Sequence, residues 1–466
     1  MGGRSRPIAF SRSADRPGDF LVFPFLSVKK GDPPARFVAE HAAPNPAYRS
    51  LTVLDNPPTG VVPCGASPYC LSSVDICMLR ITLYVLAALV VLAAIVFFFV
   101  APPLVDARLN DTSQPPPFTA SEEAQALHDR ITVADLHNDF LLWNRDLLTR
   151  YERGHSDLPR LIEGRVALQT FSVVTKVPSG RSYQGTPSDS DQIGYLVAAQ
   201  RWPVRTWTSL TERALYQAEK LHAFAEEAGS SLTILRAQPD LENAIMARVD
   251  DPGRVAGLLA IEGLHALEGD IETVDVLADA GFRMMGLLHL HDNELGGSAT
   301  GLKKGGLTPF GRRVVQRLEE RELLIDLAHA SETVIDEVLE MTNRPVVVSH
   351  TGVRATCDTP RNLSDRQIQA IAAQGGVIGV GTWPTVVCST DPAAIARAMR
   401  HVADLVGVDH VALGSDFDGT VKPPFDASGL VVLTGALLEE GFSESEIRKI
   451  MSGNVIRILR KTLPAS

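Results

Sequence analysis

Short runs of aliphatic residues recur along the chain beyond residue 121, and stretches with helical periodicity separate them. Most runs are almost continuous rather than alternating, which is typical of parallel strands covered on both faces. Eight alternations of strand and helix predict a (β/α)8 barrel, that is, a TIM-like barrel. The predicted strands are Ile131–Asp135, Ala167–Val174, Val255–Glu262, Met284–His289, Leu323–His329, Pro345–His350, Gly376–Gly381 and His410–Asp416.

Local signals mark where several helices begin. Threonine followed by proline favours a first helical turn, and serine followed three residues later by Glu or Gln forms a capping box. The predicted starts are Thr308-Pro309, Ser364 with Gln367, and Ser443 with Glu446. The largest insertion, roughly residues 175–254, separates the second and third strands and contains an amphipathic helix near Tyr195–Ala228.

A long apolar run precedes the barrel pattern. Ile81–Val105 contains no charged residue, and roughly 20 apolar residues span the hydrocarbon core of a bilayer. A cleaved signal peptide is the alternative, but its apolar core is usually about 7–15 residues, and no clean Ala-x-Ala site follows. A buried core helix is a second alternative. We expect one uncleaved transmembrane helix, with the membrane contacted through Ile81–Val100.

The chain therefore divides into four predicted parts. Residues 1–77 are rich in Pro, Gly, Ser and Arg and are predicted to be disordered, or to precede a true start at Met78. Residues 78–105 form the anchor, residues 106–120 a linker, and residues 121–466 the catalytic domain. Arg80 stands directly before the apolar run, which favours a cytoplasmic N-terminus and an extracytoplasmic barrel.

Charge and cysteine content argue against two classes of function, nucleic-acid binding and a cysteine-based zinc site. The net charge of −11 argues against a nucleic-acid partner, because binding to phosphates needs a basic face. None of the five cysteines forms a Cys-x-x-Cys zinc motif. Cys357 and Cys388 are able to pair if the domain lies outside the cytoplasm, and the sequence leaves this open.

Polar residues cluster where the predicted strands end. A barrel brings the carboxyl ends of all its strands to one mouth, so side chains at these ends share a cavity. After the first strand, His137 and Asp139 are two residues apart and lie on one face. The other strand-end residues are Glu262, His289, Asp326 with His329, Ser349 with His350, and Ser415 with Asp416 and Asp418. Imidazole together with carboxylate is a ligand set that suits zinc.

Each of these residues also has an ordinary structural explanation. A lone histidine at a strand end is more often a satisfied polar residue than a ligand, and Asp418-Gly419 is typical of a simple turn. A metal site becomes the better explanation when these residues are taken together, because six of the eight predicted strands bring His, Asp or Glu to one mouth. We therefore predict a metal site there.

The same residues resemble a known family. In order and spacing they are similar to the membrane (renal-type) dipeptidases, the M19-type branch of the amidohydrolase-like barrels, and the resemblance covers about Ala126 to Leu463. The motifs are Asp-Leu-His-Asn-Asp at 135–139, Ile-Glu-Gly-x-His at 261–265, Asp-Leu-Ala-His-Ala-Ser at 326–331, Val-Ser-His-Thr at 348–351, Pro-Arg-Asn at 360–362 and Gly-Ser-Asp-Phe-Asp-Gly at 414–419.

The resemblance implies a centre with two zinc ions per chain. One ion would be held by His137 and Asp139, the other by His329 and His350, with Glu262 bridging them. A shared carboxylate and a shared hydroxide relieve the repulsion between two close dications, and the hydroxide would attack an amide carbonyl.

Three further roles follow from the same resemblance. Asp416 would orient the attacking water and accept its proton, and His289 would hydrogen-bond the carbonyl oxygen as it gains charge. Arg361 would clamp the substrate carboxylate with its bidentate fork, although taken alone it would be a surface arginine. His265 and His291 are interpreted as supporting or loop residues rather than ligands.

Two departures from the mammalian members affect specificity and anchoring. The segment after His289 resembles bacterial members and borders the pocket, so it affects side-chain preference. Lys461–Ser466 has no hydrophobic tail for a C-terminal lipid anchor, so we expect anchoring through the N-terminal helix.

The sequence thus predicts zinc-dependent hydrolysis of dipeptides, including those with a D-configured C-terminal residue. Another amidohydrolase-type hydrolysis or deamination of a small molecule is one alternative, because such barrels keep their metals while changing their loops. A non-catalytic, membrane-tethered binding protein is the other. A carboxylate clamp at Arg361 favours the dipeptide, and a homodimer is left open.

Overall fold

The computed structural model describes residues 73–466, and parallel strands form a closed barrel in it. Around the barrel the order is β2-β1-β9-β8-β7-β6-β5-β4, and pairing of β2 with β4 closes the ring. The predicted eight-stranded (β/α)8 barrel is therefore confirmed. The strands are β1 Val133–Asp135, β2 Val166–Val174, β3 Leu232–Ile234, β4 Val255–Glu262, β5 Phe282–Gly286, β6 Leu324–Asp326, β7 Val347–Thr351, β8 Val377–Val380 and β9 Val411–Leu413.

The short strand β3 was not predicted and lies within the insertion between β2 and β4. It pairs with β4 over Val255–Gly257, and β5 pairs with the same edge of β4 further along, at Leu259–Glu262. One edge of β4 is therefore shared by two strands. The apolar run around it, residues 232–235, is shorter than the runs of the predicted strands and is interrupted by Thr233, so it did not indicate a strand.

Several strands end earlier than their aliphatic runs predicted. β5 ends at Gly286 rather than His289, β6 at Asp326 rather than His329, and β9 at Leu413 rather than Asp416. His329 and Asp416 adopt left-handed backbone conformations, with φ of 64° and 60°, which no continuing strand allows. Of the predicted site residues, Glu262 and His350 therefore lie within strands, and the others lie in the loops just beyond them.

Sixteen α-helices accompany the strands in the described residues. The predicted starts at Thr308, Ser364 and Ser443 are confirmed, since each side chain accepts a hydrogen bond from the first helical turn. The helix predicted near Tyr195–Ala228 is instead two helices, because the chain turns at Trp202-Pro203 and proline cannot continue a helix. The helices are α1 Ser73–Ile95, α2 Ala101–Leu109, α3 Glu122–His128, α4 Leu158–Glu163, α5 Gln192–Ala199, α6 Leu210–Ala228, α7 Gln238–Asp250, α8 Thr273–Asp279, α9 Pro309–Glu320, α10 Glu332–Met341, α11 Asp365–Ala373, α12 Pro384–Val387, α13 Pro392–Val406, α14 Leu430–Glu439, α15 Glu444–Arg448 and α16 Asn454–Thr462.

The last helix closes one end of the barrel. Val455, Ile458 and Leu459 of α16 pack in one cluster with inward-facing residues from the early part of the strands, such as Leu168 and Met284. The carboxyl end of the barrel is left for the polar residues that follow the strands.

The helices α1 and α2 are joined by a π-helical turn at Val96–Val100. Together they form one apolar helix over Val74–Leu109 that is long enough to cross a bilayer. This helix extends beyond the predicted anchor of residues 78–105, and its last turn occupies the start of the predicted linker. Asp106 and Asn110 are buried there, 3% and 2% exposed. The predictions for residues 1–72 lie outside the described residues.

Cys357 and Cys388, whose pairing the sequence left open, are joined by a disulfide. Their Cα atoms are 5.4 Å apart. The bond ties the loop after β7 to the segment that follows β8, close to Arg361.

Candidate functional site

Glu262, the last residue of β4, lies at the centre of a histidine cluster at the barrel mouth. Its Oε1 is 2.9 Å from His329 Nε2 and 3.2 Å from His350 Nε2, and its Oε2 is 3.2 Å from His289 Nε2. The two nearest imidazoles also face each other, with His329 Nε2 3.0 Å from His350 Nε2. One carboxylate is therefore shared by three histidines, one from strand β7 and two from the loops that follow β5 and β6.

The residues after β1 complete the cluster. His137 Nε2 is 3.4 Å from Asp139 Oδ1 and 3.7 Å from Glu262 Oε1. Three overlapping groups have ligand atoms within 4.8 Å of one another. They are His137 with Glu262 and His350, Glu262 with His289 and His329, and His137 with Asp139 and Asp416. The structure thus brings together all five predicted ligands, with Asp416 and His289 beside them.

A hydrogen-bond relay fixes the orientation of two of these rings. Asp326 accepts from the Ser349 hydroxyl at 2.5 Å, so the Ser349 oxygen is available as an acceptor. His350 Nδ1 is 2.9 Å from that oxygen and His137 Nδ1 is 3.3 Å from it. When both rings are neutral, a hydrogen on each Nδ1 leaves the two Nε2 lone pairs directed into the cluster, as metal ligation requires.

A second buried carboxylate positions the loop that carries Asp416. Asp135 accepts from the Ser415 amide at 2.8 Å, from the Ser415 hydroxyl at 2.6 Å and from the Gln169 amide group at 2.8 Å. Sequence reasoning assigned no role to Asp135, Asp326, Ser349 or Ser415. Their only signal was that each stands within three residues of a predicted site residue.

The cluster carries an excess of buried negative charge. Burial raises the pKa of Asp416 well above its usual range, and the neighbouring charges of Asp139 and Glu262 add to the rise against the opposing effect of His137. Burial by itself lowers the pKa of His137, but the charges of Asp139 and Glu262 outweigh it and raise this pKa to about 10. In the absence of another cation, the proton on His137 supplies the missing positive charge.

This arrangement fits a metal centre. His137 Nε2 and Asp139 Oδ1 are buried without a hydrogen-bond partner, although they face each other. Buried polar atoms are rarely left unsatisfied unless an ion or water completes them. A divalent cation would supply the positive charge now carried by the His137 proton, and ligation requires that this histidine be neutral. His137, Asp139, Glu262, His329 and His350 are the residues that would hold it.

Backbone geometry also shapes the site. A side chain on Gly419 would place its Cβ 2.0 Å from Asp416 Oδ1 and 2.9 Å from Asp139 Oδ2. Glycine is required at this position because the two carboxylates occupy the space. The turn Asp416–Gly419 therefore folds tightly around the acidic part of the cluster.

Arg361 is not the surface arginine that its isolated position in the sequence would favour. It is 5% exposed and lines the same cavity as Glu262 and Asp416. Its Nη2 donates to the His350 carbonyl at 2.5 Å and its Nη1 to Thr351 Oγ1 at 3.3 Å. Burial lowers its pKa, while Tyr183 and the nearby carboxylates act against that effect.

His265 and His291 lie near the cluster but outside the three ligand groups. Their ring centroids are 5.2 Å apart and the ring planes are tilted by 45°, and His265 Nε2 is 3.0 Å from Thr175 Oγ1. Burial lowers the pKa of both, that of His291 to about 4. The supporting role expected for them stays a prediction.

Asp418 lies in a turn, as the Asp-Gly pair would ordinarily indicate, but it also takes part in a buried ion pair. It is fully buried, and its carboxylate is 2.6 Å from Arg145 Nη2 and 2.6 Å from Ser156 Oγ. Arg145 Nε lies 3.1 Å from Asp106 Oδ2 at the end of α2. The turn that carries Asp416 is therefore linked to the N-terminal helix through one arginine.

Comparison with known families and sequences identifies relatives of the barrel. A family profile described as membrane dipeptidase (peptidase family M19) matches residues 121–465. Dipeptidase aclJ of Aspergillus oryzae is 27% identical over 351 residues, which cover 71% of this chain and 78% of that protein. Dipeptidase 3 of Mus musculus is 26% identical over 362 residues, covering 73% and 66% respectively.

Two solved structures of metallopeptidases are also similar to this chain. The crystal structure of dipeptidase AC, a metallopeptidase of family M19, aligns with a TM-score of 0.61 at 27% identity, covering 72% of this chain and 99% of that one. A metallopeptidase from Rhodobacter sphaeroides, liganded with a phosphinate mimic of the dipeptide L-Ala-D-Ala, aligns with a TM-score of 0.60 at 27% identity, covering 71% and 99%.

Proposed function

The chain belongs to the membrane dipeptidase family, peptidase family M19, and on this premise we propose that it hydrolyses dipeptides with two zinc ions per chain. The observation that carries the proposal is the position of Glu262, whose two carboxylate oxygens face four histidine Nε2 atoms at 2.9–3.7 Å. A carboxylate shared in this way is suited to bridging two cations. When bound, the zinc pair would polarise the substrate carbonyl and acidify a water molecule.

Two pairs of residues would complete the metal sites. His137 and Asp139 follow β1 and would hold one ion. His329, which follows β6, and His350, which lies within β7, would hold the other. The Ser349 relay to Asp326 keeps the ligand nitrogen of His350 unprotonated, which preserves its affinity for the metal.

Asp416 is the residue that would accept a proton from the attacking water. Burial raises the pKa of Asp416 well above the usual range of a carboxyl group, which makes its carboxylate a stronger proton acceptor. After the amide carbon is attacked, the same proton would pass to the departing amine. The Asp135 contacts to Ser415 hold this carboxyl group in position.

His289 would stabilise the developing negative charge on the carbonyl oxygen. Both of its ring nitrogens face acceptors, Glu262 Oε2 at 3.2 Å and the Lys176 carbonyl at 3.3 Å. The negative charge of Glu262 favours a hydrogen on Nε2, which faces the site, over one on Nδ1, which faces the neutral Lys176 carbonyl. That hydrogen is the donor that an oxyanion requires.

Arg361 would bind the free carboxylate of the substrate. Two of its donors hold backbone and hydroxyl oxygens, which fixes the plane of the guanidinium, and the rest of the group lines the cavity. The L-Ala-D-Ala mimic bound by the Rhodobacter relative supports acceptance of a D-configured C-terminal residue.

The experiment that tests the function is an assay of the full chain against L-L and L-D dipeptides, with and without chelator. We expect hydrolysis of both types, loss of activity on chelation and recovery with zinc. A fully active metal-free protein would contradict the proposal. Equal cleavage of a dipeptide and its C-terminal amide would favour a broader amidohydrolase.

We also propose that the apolar helix is a single-pass anchor and that the barrel lies outside the cytoplasm. The length of the helix and Arg80 before its apolar run support the anchor and its orientation. The Cys357–Cys388 disulfide supports an oxidising compartment. A reporter enzyme that is active only after export, fused after Ser466, should be active, and activity of a cytoplasm-specific reporter at the same position would refute the topology.

A further inference from the structure

The last turn of α2 reaches the cavity that contains the metal cluster. Val105 and Leu109 line the same cavity as Glu262, Asp416 and Arg361. Both side chains are only partly covered by protein, 40% and 38% exposed, so they border open space at the mouth. These two residues lie outside the region matched by the family profile, residues 121–465.

The wall beside this turn is apolar, unlike the floor of the cavity. Leu142, Val174, Val177, Ile193 and Leu196 line it together with Val105 and Leu109. The cavity measures about 580 Å³, which lies in the range of pockets that enclose drug-sized ligands. The cavity therefore has a polar end at the metal ligands and an apolar end at the helix.

Buried polar contacts hold the helix in this position. Asp106 pairs with Arg145 at 3.1 Å and with Arg153 at 3.0 Å. Asn110 Oδ1 accepts from the Thr420 amide at 3.0 Å, in the loop that follows Asp416. About two helical turns before Asp106, the Arg201 guanidinium lies 4.3 Å from the centre of the Phe99 ring. The wall is fixed rather than loosely apposed.

We propose that Val105 and Leu109 form an apolar subsite that binds a side chain of the substrate. The inference rests on the proposed dipeptidase function and specifies its substrates as dipeptides with a bulky aliphatic or aromatic side chain. The carboxylate of such a dipeptide would bind Arg361, and the rest of its charged backbone would lie at the polar end of the cavity, beside the metal ligands. Its side chain loses contact with water against the helix turn, which is the source of the selectivity.

Two variants of the full chain in detergent test the subsite. Val105→Ser/Leu109→Ser makes the wall polar, and Leu109→Trp fills the space. The measured quantity is the ratio of kcat/KM for Leu-Leu to kcat/KM for Ala-Ala. Because a single methylene in an apolar pocket changes selectivity by 10-fold or more, we expect this ratio to fall about 10-fold in both variants.

Leu104→Ser is the matched control, because Leu104 is adjacent on the same helix, 63% exposed and absent from the cavity wall. Its ratio should equal that of the wild type. An unchanged ratio in both test variants would overturn the subsite, while the wild type still cleaving Ala-Ala would leave the proposed function standing. A wild type that cleaves neither dipeptide would overturn the proposed function and this inference with it. If the serine variant fails to fold, the tryptophan variant decides the result alone.

Discussion

Arg145 and Asp418 form a fully buried ion pair, with Nη2 2.6 Å from Oδ1, two residues beyond Asp416. The other edge of the same guanidinium faces Asp106 of the N-terminal helix. One arginine therefore pairs with two carboxylates from distant parts of the chain. Its effect is to hold the Asp416 turn and the end of the helix in one fixed relation.

Arg145→Met should lower the free energy of unfolding by about 3–5 kcal/mol, because it leaves the buried Asp418 carboxylate without its arginine and removes one of the two arginines that pair with Asp106. Urea denaturation of the full chain in detergent measures the change. Arg150→Met is the control, since Arg150 pairs with Glu163 at the surface, where removal of an ion pair costs about 1 kcal/mol or less. Equal losses of unfolding free energy in the two variants would show that the buried Arg145 pairs stabilise the fold no more than a surface ion pair does.

His329→Ala should release one of the two proposed zinc ions and abolish nearly all dipeptide hydrolysis. The physical reason is that His329 Nε2 is within 3.0 Å of both Glu262 and His350, so few ligands remain on that side. Elemental analysis of the purified protein gives the zinc count. His401→Ala removes a partly exposed histidine paired with Asp365 and should retain both ions.

Ser349→Ala should weaken zinc binding by about 10–100-fold without removing any ligand. The hydroxyl accepts from His350 Nδ1 while donating to Asp326, so its loss frees the ring to adopt the other tautomer. Competition with a chelator measures the affinity. Ser452→Ala, at a buried serine bonded to Thr132 near the opposite end of the barrel, should leave the affinity unchanged. The same affinity in both variants would rule out the relay.

Arg361→Ala should reduce kcat/KM for dipeptides by about 30-fold or more, since a desolvated charged pair is worth roughly 2–5 kcal/mol when one partner is truncated. Lysine should restore only part of the activity, because a point charge cannot reproduce the fork. Zinc content should stay unchanged.

The readout for Arg361 is the discrimination between a dipeptide and its C-terminal amide. Arg354→Ala is the control, because Arg354 lies in the same loop and hydrogen-bonds the Asn362 carbonyl outside the cluster. Undiminished discrimination in Arg361→Ala would exclude it as the carboxylate clamp.

His128 should make the fold sensitive to acid independently of the metal centre. Burial lowers its pKa from 6.5 to about 4, and its Nδ1 lies 2.8 Å from Thr434 Oγ1. Between these two pH values the unfolded chain binds a proton at His128 and the folded chain does not, so stability falls as the pH falls. From pH 7 to pH 5 the wild type should lose about 2 kcal/mol more unfolding free energy than His128→Gln. Parallel losses in urea titrations at the two pH values would contradict this.

The barrel was predictable because its strands are buried on both faces and stand out as aliphatic runs. Where the strands end was not predictable. His329 and Asp416 follow apolar residues without interruption, and only their backbone conformation shows that the strand has already stopped. The short β3 carries no pattern of its own and exists because β4 offers it an edge.

The composition of the site was predictable from residue types at the strand ends, but its supporting contacts were not. Asp418 and Ser156 form a hydrogen bond although they are more than 260 positions apart in the sequence. No local pattern distinguishes such a buried carboxylate from an ordinary Asp-Gly turn. The hydrogen bond between Ser349 and Asp326 was not predictable either, because no local pattern links two residues on different strands.

The left-handed backbone of His329 and Asp416 lowers folding stability at two positions whose side chains the proposed chemistry requires. A side chain in this conformation costs roughly 1–2 kcal/mol, and glycine avoids the cost. Any engineering scheme that ranks substitutions by thermal robustness alone would therefore favour glycine at both positions. It would then delete one proposed metal ligand and the proposed proton acceptor, so both positions should be held fixed when variants of this chain are designed for heat resistance.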